Sequence, residues 1–225
     1  MPIYKKVNKD FFKMWSPNMA YVLGFFAADG YMTENKRGAH FWNIQITDKK
    51  LLEDIKETID AEHKISIRPM RGNKKPLHRL QIGSKEMFQD LLALGFKQGK
   101  TKSLVVPGIP ARYFRDFVRG YFDGDGCVWM GYIHKDRQIK TLTLRTIFTS
   151  CSKEFLAEIC RRLRLSFVFG GVLSKGKGNF YRLTISVSNS LKLYDFMYNH
   201  PVLGYDDLFL ERKRIIFEKF IKMRP

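Results

Sequence analysis

The strongest constraint on this chain is an internal repeat. YVLGFFAADG at 21–30 and FVRGYFDGDG at 117–126 superpose Gly24 on Gly120, Asp29 on Asp125 and Gly30 on Gly126, with a period of 96 residues. In the same register, allowing small insertions in the second copy, WNIQITDKKLLEDI at 42–55 meets LRTIFTSCSKEFLAEI at 144–159. Further on, HRLQIGS at 78–84 meets YRLTISV at 181–187. A repeat that covers nearly the whole chain must fold as two like halves, so each half is read with the help of the other.

Each half reads as helix, two strands, helix, two strands, helix, an α+β pattern with antiparallel sheets. Ser16-Pro17 supplies a cap residue and a proline suited to a first helical turn. Trp42, Ile44 and Ile46 alternate with Asn43, Gln45 and Thr47, the period of a half-buried strand. Leu80 and Ile82 alternate likewise, as do Leu183, Ile185 and Val187. Leu51, Leu52, Ile55 and Ile59, like Phe155, Leu156, Ile159 and Leu163, form helical stripes behind cap residues at Asp48 and Ser152. Further helical runs are expected at about 85–94 and 190–198. Between the copies, Val105-Val106-Pro107-Gly108-Ile109-Pro110 breaks any regular element. The halves are therefore set at 1–104 and 112–225, with 105–111 as linker.

Forty Lys and Arg against 22 Asp and Glu leave a formal charge of +18, shared almost evenly as +8 before Ala111 and +10 from it onward. Both halves should face one polyanion, most simply nucleic acid. The longest apolar run, Ala20–Ala28, is too short to cross a bilayer, and the first residues interleave charge with aromatics, so no membrane span or secretory signal is expected. Cys127, Cys151 and Cys160 form no closely spaced pair. They are read as reduced packing residues of an intracellular protein. The five histidines have no metal-ligand spacing, and neither a Ser-His-Asp nor a P-loop pattern is present.

Ala20, Gly24 and Ala28 recur every fourth residue, as do Gly120 and Gly124 in the second copy. Small residues at that spacing let two helix backbones approach closely, so Gly24 and Gly120 are expected at a helix interface on a pseudo-twofold axis. Asp29 and Asp125 then meet at one end of the pair. Two carboxylates at two negative helix ends repel, so a positive group should sit there. A hard divalent cation suits such a place, because Mg2+ binds through one or two carboxylates plus substrate phosphates.

At VLGFFAADG (22–30) and VRGYFDGDG (118–126) the chain resembles the LAGLIDADG homing endonucleases in their single-chain, two-motif form. The resemblance implies two αββαββα halves whose sheets form a saddle on double-stranded DNA. It implies divalent-metal-dependent cleavage of both strands at a long specific site, across the minor groove with 3′ overhangs. Asp29 and Asp125 would bind the metals, joined by the backbone carbonyls of Ala28 and Gly124. Mg2+ is the implied cofactor, with Mn2+ able to substitute and Ca2+ able to bind without supporting cleavage. The earlier acidic position of the motif is Ala27 in one copy and Asp123 in the other, so the repeat itself marks it as dispensable. Lys100, before Ser103-Leu104-Val105-Val106-Pro107, resembles the family's basic residue near the scissile phosphate, and Lys213 is its candidate counterpart. A monomer encoded within an intron is expected, since no protein-splicing ends are recognisable. An RNA maturase acting on its host intron RNA, and a DNA-binding regulator that does not cleave, remain alternatives on the same fold.

The polar strand positions complete the expected interface. They are Asn43, Gln45, Lys64, Ser66, Arg68, Arg79 and Gln81 in the first half, and Thr143, Arg145, Arg182, Thr184 and Ser186 in the second. Arg, Gln and Asn can make paired hydrogen bonds to purine edges. Lys74 and Lys75, in the turn at 72–76, and Lys175 and Lys177, in the equivalent turn at 175–179, are expected on phosphates.

Overall fold

A computed structural model describes residues 5–70, 72, 75–99, 103–134, 140–166, 171–199 and 208–224. The first half runs α1 (Pro17–Asp29), β1 (Gly30–Glu34), β2 (His40–Ile46), α2 (Lys49–Thr58), β3 (Ile65–Arg68), β4 (Leu77–Gly83) and α3 (Lys85–Ala93). The second repeats it as α4 (Phe114–Asp125), β5 (Gly126–Ile133), β6 (Thr141–Ser150), α5 (Lys153–Leu165), β7 (Val172–Lys175), β8 (Tyr181–Ile185) and α6 (Val187–Tyr198), then adds α7 (Glu211–Met223). The protein is thus α+β, with two four-stranded antiparallel sheets of order β1-β2-β4-β3 and β5-β6-β8-β7.

Local chemistry sets the element ends. Ser16 accepts a hydrogen bond from the Met19 N–H at 3.1 Å, and Ser84, Asp48 and Ser152 cap α3, α2 and α5 in the same way. Each such cap satisfies one of the unpaired amides of a first helical turn. Beyond each sheet pairing, Trp42, Ile44 and Ile46, with Leu80 and Ile82, face the core, as do Leu144, Phe148, Leu183 and Ile185 in the second half. The helices α2, α3, α5 and α6 cover that face, leaving the opposite face of both sheets open.

Two readings of the sequence need correction. The fourth strand of the second half ends at Ile185, and Val187 opens α6, so Ser186 lies at the helix N-cap instead of on the strand. An N-cap residue has extended backbone, as a strand residue does, so a serine there reads as the end of a strand; the Ser186 hydroxyl makes no capping hydrogen bond. The thiols are free, but Cys127 is exposed, which removes it from the packing residues. No helix among the described residues is long and apolar enough to cross a membrane.

Candidate nucleic-acid interface and acidic centre

The two motif helices lie backbone against backbone. A Cβ built on Gly24 would land on the Phe117 carbonyl oxygen and come 2.9 Å from the Tyr121 nitrogen. One on Gly120 would land on the Tyr21 carbonyl oxygen and come 2.9 Å from the Phe25 nitrogen. Phe117 and Tyr121 stand at the repeat positions of Tyr21 and Phe25, so the contact is reciprocal, as a pseudo-twofold axis requires. Farther along, a Cβ on Gly124 would overlap that of Ala28 and stand 3.2 Å from Oδ2 of Asp29. The Asp29 carboxylate therefore leans on the end of the opposing helix, and the two acidic ends converge. Asp29 is half-buried and Asp125 exposed.

Each acid opens on a cleft, of about 370 Å³ beside Asp29 and 240 Å³ beside Asp125. Tyr31, Gln45, Leu77 and Lys97 line the first; Thr149, Ser150, Cys151, Phe180 and Leu104 line the second. Gln45 is paired across the sheet with Arg79, and Thr149 with Arg182, so the clefts occupy equivalent places in the two halves. Their chemistry differs. Gln45 donates from Nε2 to the Tyr31 hydroxyl at 3.0 Å in the first. In the second, the Tyr121 hydroxyl donates to the Thr149 carbonyl at 2.7 Å. Tyr31 and Lys97 escaped the sequence reading. Tyr31 was legible in principle, since it stands two residues after Asp29 on the open face of its strand.

The positive charge expected at the helix ends is partly supplied by the chain. Lys213, on the first turn of α7, is 4% exposed, and its ammonium donates to the carbonyls of Phe122 at 2.6 Å, Asp123 at 2.9 Å, Gly124 at 3.3 Å and Gly126. A cation on the last carbonyls of a helix satisfies them and opposes their partial negative charge. Burial lowers the Lys213 pKa to about 8, against the opposing pull of Asp123 and Asp29. Next to it, the fully buried Asp123 accepts from the Tyr21 hydroxyl at 2.7 Å, the Tyr198 hydroxyl at 3.4 Å and the Leu210 amide at 2.8 Å. Burial pushes the Asp123 carboxyl above the usual range despite these donors.

The donor set at the centre fits a hard cation. It offers two carboxylates and backbone carbonyls, all oxygen, and no cluster of three or more His, Cys, Asp or Glu ligands exists among the described residues. That is the composition of a Mg2+ site completed by substrate phosphates. The Gly124 carbonyl is shared with the Lys213 ammonium at 3.3 Å, so a cation there would compete with it. Lys100 lies outside the described residues.

On the open face, Gln45, Ser66, Arg68, Arg79 and Gln81 of the first sheet, and Thr143, Arg145, Arg182 and Thr184 of the second, stand as the alternation predicts. Lys64 is exposed just before β3, and Lys75, Lys175 and Lys177 are exposed in the two turns. Lys74 lies outside the described residues. Asn43 has the expected parity but is fully buried, with neither amide atom hydrogen-bonded. Its strand neighbours Tyr31 and Gln81 flank it, a crowding that strand parity does not reveal.

Residues 16–94 match the model of the LAGLIDADG-like domain. Reverse gyrase of Methanocaldococcus jannaschii is 27% identical over 139 residues, 62% of this chain and 8% of that protein. The NrdEB subunit alpha of ribonucleoside-diphosphate reductase from Bacillus subtilis is 24% identical over 227 residues, 94% of this chain and 20% of that protein. The chain thus spans a small part of each. Among solved structures, meganuclease I-SmaMI bound to uncleaveable DNA superposes with a TM-score of 0.58 at 15% identity, covering 92% of this chain and 89% of the other. LAGLIDADG meganuclease I-AabMI, bound to uncleaved DNA, gives 0.55 at 16%, with 94% and 100% covered. The likeness is one of fold, and it extends over both halves.

Proposed function

We propose site-specific, double-strand DNA cleavage by a single chain, whose residues 16–94 match the LAGLIDADG-like domain and whose second half repeats the same fold and motif. The observation that carries this reading is the convergence of Asp29 and Asp125 at the closely packed helix ends, between two open basic sheets. Residues 1–104 and 112–225 each grip one half of the target, and 105–111 joins them. The fold's relatives include meganucleases bound to DNA, one of them in the presence of calcium ions.

Asp29 and Asp125, with the Ala28 and Gly124 carbonyls, would hold Mg2+ or Mn2+, which when bound polarises a scissile phosphate and makes a nearby water acidic. The chain's own groups do the rest. Two helix ends fix the carboxylates in place, and the polar side chains of the clefts, Tyr31 with Gln45 and Thr149, orient water and phosphate oxygens. Lys213 sets the end of α4 and supplies positive charge beside the second acid; Lys100 is proposed for the first. That small parts of two enzymes as different as a reverse gyrase and a ribonucleotide reductase resemble most of this chain supports a module that moves between host genes.

The test begins with selection of cleaved duplexes from a randomised library in Mg2+. Asp29→Asn and Asp125→Asn are then expected to abolish double-strand cleavage of the selected site while retaining its binding in Ca2+. Undiminished cleavage by either variant would overturn the assigned centre. Specific binding without cleavage by the unmodified protein would leave the regulator in its place.

A further inference from the structure

We infer that Trp129 on β5 and Phe41 on β2 are apolar readers, each seating the methyl group of a thymine in the major groove of one half-site. This rests on the DNA-binding reading above and adds which base feature the chain recognises and where. Trp129 is 46% exposed on the open face of the second sheet. A Cβ on Gly131 would collide with its indole, so the ring lies flat along its own strand over that glycine. Phe41 lies on the open face of the first sheet, and a Cβ on Gly83 would come 3.1 Å from its Cε1.

Single exposed aromatic residues need no explanation. Here the register makes the two equivalent. Counting outward from the acids, Thr33 pairs with Phe41 in one sheet and Trp129 pairs with Arg145 in the other. Thr33 and Trp129 are the same repeat position, and Phe41 and Arg145 are the same one opposite. Each half thus presents one flattened aromatic in the same cross-strand row, on alternate strands, and each ring rests on a glycine. The open face of the second sheet also bears Ile147 and the exposed Val172, both paired with Thr184, but an aromatic plate recurs in both halves at one distance from the centre.

In the major groove the apolar feature of a base edge is the C5-methyl group of thymine, which the other three bases lack. The row is four residues from the acid along the strand, roughly 13 Å, or about four base pairs at 3.4 Å each. Arg79 and Arg182, paired with Gln45 and Thr149 beside the acids, stand inward of the aromatic residues. The inner row is therefore polar and charged, and the outer one includes an apolar plate.

The experiment uses the full chain and duplexes retained from a randomised pool in Ca2+, so that binding is read without cleavage. Thymine is expected about four base pairs outward on each side, and replacing it with deoxyuridine, which removes only the methyl group, should weaken binding roughly fourfold. The penalty should vanish at one half-site in Trp129→Ala and at the other in Phe41→Ala, with penalties elsewhere unchanged. A selected site without thymine at those places, or uridine penalties that persist in both variants, would overturn the inference. The uridine scan on the unmodified protein stands alone if Phe41→Ala does not fold. If no duplex is retained above background, the DNA-binding reading itself falls; a specific site indifferent to uridine removes only the thymine contact.

Discussion

Asp123 shows how one residue position can lose its meaning in one copy of a repeat and keep it in the other. Its counterpart Ala27 has no carboxylate, and the sequence alone marks the position as dispensable. In the second half the carboxylate gathers Tyr21 from α1, Tyr198 from α6 and the Leu210 amide at the start of α7. Among the described residues, only that half has an extra α-helix to anchor, and the acid serves it there. Asp123→Ala is expected to cost about 3 kcal/mol, because it strands buried donors and the nearby Lys213 charge. Denaturant unfolding measures it, and a midpoint equal to wild type would refute the anchoring role. Arg79 and Arg182 pose the other question at this scale, base or phosphate. Arg79 Nε stands 3.4 Å from the Ser66 hydroxyl, and the Arg182 guanidinium lies 5.0 Å from the Phe180 ring. Replacing either with Ala should cost about 1 to 3 kcal/mol at one or two target positions and relax preference there, on opposite sides of the centre. Uniform loss across all sequences would assign both to phosphates.

Among elements, α1 and α4 carry the architecture, because their contact is the interface between the halves and also the support of both acids. The close approach depends on the absence of a side chain at two points, and backbone atoms opposite those points cannot yield. Even the smallest side chain is therefore too large: Gly24→Ala or Gly120→Ala should lower stability by about 1 to 3 kcal/mol or more, and the two should cost alike because the contact is reciprocal. Thermal melting of both variants tests this, and a large asymmetry would break the pseudo-twofold argument. Separation of the helices would also move Asp29 away from the end of α4, so cleavage should suffer more than sheet-mediated binding. The added α7 has no α-helical counterpart among the described residues of the first half, and it brings Lys213 to the end of α4.

At the scale of the whole molecule, a charge of +18 spread over both halves predicts strong attraction to any duplex and poor discrimination from charge alone. The lysines in the two equivalent turns should each release about one counterion. Removing the charge of Lys75, Lys175 or Lys177 singly should weaken binding to all sequences and flatten the salt slope by about one unit. Titrations at several salt concentrations give the slope, and an unchanged slope would take that lysine off the phosphates. Both half-sites should respond alike, since neither half is a basic tail on a neutral partner.

The repeat, its period and the small-residue spacing determined the two-half architecture, the strand alternation and the meeting of Asp29 with Asp125. Those features are legible because they are periodic, and periodicity survives the loss of three dimensions. Ser186 was misplaced because a serine at a strand end and a serine at a helix start carry the same local chemistry. Asn43 was placed on the correct face, yet its burial depends on neighbours in two other strands. Lys213 could be suspected but not positioned, since it reaches the end of α4 across 87 to 91 residues of chain. The seat of Phe41 over Gly83, like the cap on α4, was decided by tertiary structure alone. Contacts between elements distant in sequence follow from how whole helices and sheets pack, and no local pattern encodes that packing.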